Sequence, residues 1–169
     1  MRTRTLPIRW MAEIGVAAAL SAVLSLIRLY RLPQGGSITL ETIPVLFMAL
    51  YRGVRIGMLT GLILGLVKIL LGATVVHPIQ LILDYPLAFA LLGCAGLSRA
   101  LPSLGVLMGQ VARGISHFIS GVVFFGAFVP EGSNAWAYSA VYNLSYVLPE
   151  AILAMIVVPI LLRRIENRV

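Results

Sequence analysis

No stretch of twenty residues in this chain is free of charge, yet apolar runs fill most of it. The longest uncharged runs are 132–149, 114–130 and 69–83. Crossing the roughly 30 Å hydrocarbon core of a bilayer as a helix takes about 20 residues. Any membrane span built from this sequence must therefore carry ionisable groups, which are costly in lipid unless paired or hydrated. Composition leaves little choice but the membrane. Apolar residues make up 60% of the chain, charged residues 11%, and the mean hydropathy is +0.99. Soluble domains carry about 45–50% apolar and about 25% charged residues. A cytosolic enzyme, a disordered tail and a secreted disulfide scaffold are thereby excluded. The one cysteine, Cys94, allows no intrachain disulfide and reads as a small packing residue.

The expected architecture is an all-α integral membrane protein of six transmembrane helices, a single domain over 1–169. Helices are predicted at about 8–29, 39–52, 54–72, 79–98, 103–127 and 135–164. The first, behind a basic N-terminus, resembles a signal peptide but is followed by more apolar runs, so it reads as a first span. Pro33 with Gly35 and Gly36, then Gly53, Pro78, Pro102 and Pro130, mark the breaks. Net charge is +7. Arg2, Arg4, Arg9, Arg52, Arg55, Arg99, Arg163, Arg164 and Arg168 fall on one side of this topology, Arg28 and Arg31 on the other. The positive-inside rule then puts both termini in the cytoplasm and accounts for the basic balance without nucleic acid. No convincing internal repeat is present.

Several residues inside the runs bear on function. Gly53, Gly57, Gly61 and Gly65 repeat every four residues along the third helix, a face for close helix packing or for a partner. Gly15 and Ala19, with Ala22, form a similar strip on the first helix. Asp84 stands in the run Leu83-Asp84-Tyr85-Pro86, with Gln80 one turn earlier and Pro86 freeing a backbone carbonyl. It reads either as half of an ion pair, with Lys68 or Arg113 as partner, or as an acid that holds a cationic ligand. His117, Ser120, Gly121 and Phe124 share a face of the fifth helix, with Phe125 adjacent. The His–Ser pair has no third member or oxyanion arrangement, so a serine hydrolase is not supported. On the sixth helix Ser139, Asn143, Tyr146 and Glu150 share a face, and Tyr138 and Tyr142 line the next stripe. Trp136 suits an interfacial anchor. An acid, a histidine, an amide and several aromatics suit a flat, cationic, hydrogen-bonding ligand. No phosphate-binding loop and no metal-ligand cluster is present, and no cofactor is expected. His77 reads as structural.

In order along the chain, Pro33 to Pro44, Arg52-Gly53 with the glycine ladder, His77-Pro78-Ile79-Gln80, Leu83 to Phe89, Leu92 to Gly96, His117 to Gly121, Tyr138-Ser139 and Tyr142-Asn143 form a combined signature. By it the chain resembles, over roughly residues 10–165, the thiamine-specific substrate-binding (S) components of energy-coupling factor transporters. The resemblance implies six transmembrane helices in the cell membrane and capture of thiamine from outside. It implies that Asp84 holds the cationic ligand with Tyr85 beside it, and that His117, Tyr138 and Asn143 contact it. Phe125 stands where some members have Trp, which implies stacking there. Some members carry an aromatic near Ser37. Gln80, Trp136, Tyr142, Tyr146 and Ser37 are secondary candidates. Gly15 and Ala19 match the pattern through which the family's first helix meets a transmembrane coupling subunit. Two cytoplasmic ATPase subunits would complete the transporter. Lys68 has no counterpart in this scheme; it neutralises Asp84 or Glu150, or snorkels. The external loops are expected to order over the ligand. The alternatives are an S component for another vitamin or a thiamine precursor, an intramembrane enzyme, and a stand-alone carrier.

Overall fold

A computed structural model describes residues 6–33 and 36–167 of the chain, the side chain of Glu166 excepted. Arg2, Arg4, Gln34, Gly35 and Arg168, invoked above, lie outside the described residues. Among the described residues the long helices are α1 (Ile8–Leu26), α2 (Thr42–Arg52), α3 (Val54–Leu70), α4 (Pro78–Leu97), α5 (Pro102–Phe124) and α6 (Ala135–Glu166), with a 3₁₀ turn at Gly126–Phe128 between the last two. Four of them, α1, α4, α5 and α6, are long and apolar enough to cross a membrane. The 11 residues of α2 make a helix of about 16 Å. It is enclosed by the others, with Val45, Leu46 and Ala49 fully buried.

Side chains are distributed as lipid demands. Val16, Leu20 and Val23 of α1, Val111, Ile115 and Ile119 of α5, and Leu144, Leu148 and Ile152 of α6 face outward. Polar groups face inward instead, with Gln80, Gln110, Thr60 and Glu150 all buried. The apolar core joins α2, α4, α5 and α6 through Leu46, Leu92, Val106 and Val158.

The glycine ladder belongs to the interior. A Cβ on Gly61 would collide with the carbonyl of Phe89, and one on Gly65 would lie 2.6 Å from the carbonyl of Tyr85. The ladder is the seat of α4, whose backbone is irregular. Its residues Leu83–Leu87 form a π-helical turn around Pro86, and Leu92–Leu97 tighten to a 3₁₀ helix. Proline has no N–H to donate and crowds the preceding turn, so the helix widens there. Ser116 of α5 donates to the Leu83 carbonyl at 2.7 Å. Gly61→Val is accordingly expected to destabilise the protein by at least about 1–3 kcal/mol. Gly15→Ala, whose added Cβ would meet nothing within 4 Å, is expected to melt like wild type. Thermal unfolding in detergent compares them.

The first connection differs from the plain loop expected. Residues Tyr30–Arg31 (β1) and Ser37–Ile38 (β2) form a small antiparallel ribbon, pairing Tyr30 with Ile38 and Arg31 with Ser37. Thr39, Leu40 and Glu41 precede α2 rather than opening it. Between α2 and α3, Gly53 adopts φ of 98°, a conformation that favours glycine.

Candidate functional site

At the end of the bundle where α5 finishes and α4 and α6 begin, a cavity of about 430 Å³ opens. That volume lies in the range that encloses a small organic ligand. Three helices supply most of its wall. The π turn of α4 turns Asp84 and Tyr85 toward the cavity; Gln80 stands before them and Phe89 after. From α5 come Arg113, His117 and Gly121, followed by Phe125 just past its end. The first half of α6 contributes Tyr138, Ser139, Tyr142, Asn143 and Tyr146. Gly36 and Ser37 close one side, Thr74 and Phe128 another.

Ten of the eleven candidate ligand contacts read from sequence thus converge on one cavity. The exception is Trp136. It is 63% exposed and packs on Phe118 at the outside of the bundle. It stands two residues before Tyr138, about 200° around the helix, so it faces away from the cavity. His77 has the structural role expected of it. Its Nδ1 accepts from the backbone N–H of Ile79 at 3.1 Å, and its ring stacks on Phe124 at 4.9 Å.

The charges sort in a way that sequence did not reveal. Lys68 pairs with Glu41 at 2.7 Å and does not neutralise Asp84 or Glu150. Arg113 pairs with Glu150 at 2.5 Å and is not the partner of Asp84. Glu13 is held by Arg52 at 2.7 Å, far from the cavity. Asp84 is left without a permanent cation among the described residues. It accepts from Gln80 Nε2 at 2.7 Å through Oδ2, and His117 Nδ1 lies 3.2 Å from Oδ1. Neither neighbour carries an obligate charge, so the net charge of this partly buried carboxylate is directed at the cavity. Two ion pairs cancel, and one negative charge remains.

The remaining polar groups of the site hydrogen-bond one another and the backbone. Gln80 also donates to the Thr74 carbonyl at 3.1 Å and accepts from Val76 N–H at 3.0 Å, tying Asp84 to the loop before α4. Tyr85 Oη accepts from the Thr74 N–H at 3.0 Å. Asn143 donates to the Ser139 carbonyl at 2.8 Å and accepts from Tyr146 Oη at 2.6 Å. The Tyr146 ring meets Tyr142 at 5.6 Å and His117 at 6.1 Å, both edge-on. His117 Nε2 has no hydrogen-bond partner among the described residues. The site therefore offers one carboxylate, an unengaged imidazole nitrogen and a wall of aromatic faces. Glu41, Lys68, Arg113 and Phe89 belong to it too. The sequence signal of the three charged ones is arithmetical: Glu41, Asp84 and Glu150 stand in apolar surroundings against two cations, Lys68 and Arg113.

The model of a family described as "Thiamine transporter protein (Thia_YuaJ)" matches residues 11–168. The chain belongs to this thiamine transporter family. It is 36% identical to the thiamine transporter ThiT of Bacillus subtilis over 168 residues, covering 88% of each chain. It is 34% identical to thiamine transporter ThiT of Lacticaseibacillus paracasei over 140 residues, 71% of this chain and 70% of that one. The solved structure of ThiT from Listeria monocytogenes superposes with a TM-score of 0.85 at 29% identity, covering 93% of this chain and 94% of that chain. As members of the thiamine transporter family, these proteins are transporters and not enzymes.

Proposed function

We propose that this family member is a six-span subunit of a bacterial cell membrane that captures thiamine at the outer face. It passes the vitamin inward with a transmembrane coupling subunit and two ATPase subunits. The observation that carries the capture step is Asp84, the one cavity carboxylate among the described residues with no Lys or Arg paired to it. Thiamine joins a positively charged thiazolium to a flat aminopyrimidine. The carboxylate attracts the first, and Tyr85, Phe125 and Tyr138 offer faces for stacking and cation–π contact. His117 and Asn143 hydrogen-bond the pyrimidine. Gln80, Tyr142, Tyr146 and Ser37 complete the wall. The loops carrying Ser37, Thr74 and Phe128 cover the bound ligand.

Orientation follows from charge. Arg52, Arg55, Arg99, Arg163 and Arg164 gather at the end opposite the cavity, against Arg28 and Arg31 at the cavity end. The positive-inside rule puts the cavity outside and both termini in the cytoplasm. On α1, Gly15 and Ala19 face out of the bundle while Ala17 and Ala18 face in. The outward pair is a smooth strip for the coupling subunit.

Vesicles test the scheme. The chain alone should bind labelled thiamine without accumulating it. Accumulation should require the coupling subunit, both ATPase subunits and ATP. Accumulation by the chain alone would instead make it a stand-alone carrier. In the same vesicles Gly15→Leu should leave binding unchanged and abolish most ATP-driven uptake. Uptake at the wild-type rate would remove α1 from the coupling surface.

A further inference from the structure

Beneath the cavity runs a chain of buried polar contacts that charge recognition by Asp84 does not require. Thr39 lies between β2 and α2. It donates to Glu150 Oε1 of α6 twice, from its backbone N–H at 2.9 Å and from Oγ1 at 3.0 Å. The two residues are 111 positions apart in sequence. Thr39 Oγ1 also accepts from the Glu41 N–H at 3.4 Å, and Glu41 holds Lys68 of α3. The second oxygen of Glu150 holds Arg113 of α5. Thr39, Glu41, Arg113 and Glu150 are each no more than 4% exposed. In so dry a place a satisfied polar network is rigid, and an opened one is costly.

The segment that Thr39 anchors is the one that walls the site. Gly36 and Ser37 line the cavity three and two residues earlier. Gly36 sits so close to α6 that a Cβ there would lie 2.9 Å from Tyr142 Oη. Paired donors from one residue onto one carboxylate oxygen fix both the position and the orientation of the segment against α6. Stability alone would be served as well by apolar packing, because buried ion pairs are weak contributors to net stability.

We propose that Thr39 and Glu150 are positioning residues for ligand retention. The Thr39–Glu150 clamp holds the Gly36–Thr39 segment against α6 and sets how long thiamine stays, while Asp84 sets which charge is admitted. This inference rests on the thiamine-capture reading above.

The test compares Thr39→Val, which keeps the shape and loses the hydroxyl, with Thr39→Ser, which keeps the hydroxyl. Thiamine association and dissociation rates are followed by intrinsic fluorescence on the purified chain. Amide hydrogen exchange over residues 36–41 is followed on the same proteins without ligand. Thr39→Val should release thiamine roughly tenfold faster with association within about twofold of wild type, and exchange faster over 36–41. Thr39→Ser should behave like wild type in both. Thr39→Ala, which cannot overpack, repeats the comparison should the valine variant fail to fold. Wild-type dissociation from Thr39→Val, equal acceleration in Thr39→Ser, or unchanged exchange over 36–41 would each overturn the clamp. Absence of thiamine binding by wild type would overturn the capture reading instead, and the exchange data would still decide the clamp.

Discussion

Asp84→Asn is expected to weaken thiamine binding by roughly 30- to 4,000-fold and to leave the fold intact. Truncating one partner of a buried, hydrogen-bonded charge pair costs about 2–5 kcal/mol, and each 1.4 kcal/mol is a factor of about ten. The fold should survive because Asn keeps the shape of Asp and its neighbours can adapt. The Asn amide oxygen can still accept from Gln80 Nε2, and His117 can present Nδ1 as an acceptor to the Asn amide N–H by carrying its proton on the other nitrogen. Removing the charge even relieves the cost of holding an unpaired carboxylate in an apolar bundle. Fluorescence titration in detergent gives the affinity, and thermal unfolding reports the fold. An affinity within threefold of wild type would move the cation-binding role away from Asp84.

Arg113→Met should have the largest effect on stability, and the reason is again the charge arithmetic. Arg113 is 3% exposed and Glu150 is 1% exposed. Removing one member of such a pair strands the other, at a cost of about 3–5 kcal/mol. Thr39 cannot make up the loss, since its two hydrogen bonds go to the other carboxylate oxygen. Gln110 would also lose the contact it accepts from Arg113 at 3.4 Å. The single variant is therefore expected to aggregate on extraction or to melt far below wild type. Arg113→Met combined with Glu150→Gln removes both charges, keeps an oxygen for the two Thr39 donors, and should recover most of that stability. Size-exclusion profiles and melting curves of the three proteins decide it. A single variant as stable as wild type would mean that Glu150 reaches water or takes up a proton without penalty.

How much of this was legible beforehand depends on the kind of information required. Each of the six helices lies where an apolar run stands between Pro, Gly or Arg breaks. Pro78 opens α4 as its fixed geometry suggests, capped by His77. Helical spacing correctly put Ser139, Asn143, Tyr146 and Glu150 on one buried face. Spacing does not say which neighbouring helix covers a face. Glu41 and Lys68 are 27 residues apart and Arg113 and Glu150 are 37 apart, each pair on different elements. Either cation was an equally good partner for Asp84 until the packing was known. The glycine ladder left internal packing and a partner face open, and the Phe89 and Tyr85 carbonyls seated on it decide for the interior. Pro86 announced an irregularity in α4, but whether the helix kinks or widens depends on what lies beside it. Trp136 is the opposite case, where aromatic chemistry suggested a ligand contact and an offset of two residues from Tyr138 sends the ring outside.

Selection of a cationic vitamin by an aromatic cavity with one uncancelled carboxylate rests on charge. The most direct test is an equilibrium titration of the purified wild-type chain with thiamine and with its neutral analogue, in which a thiophene replaces the thiazolium. The two ligands share shape and hydrogen-bonding groups and differ in charge. Thiamine should bind tighter by at least about tenfold, the scale of one charge-assisted interaction. Equal affinities, or no saturable thiamine binding by a chain that melts cooperatively, would contradict the account.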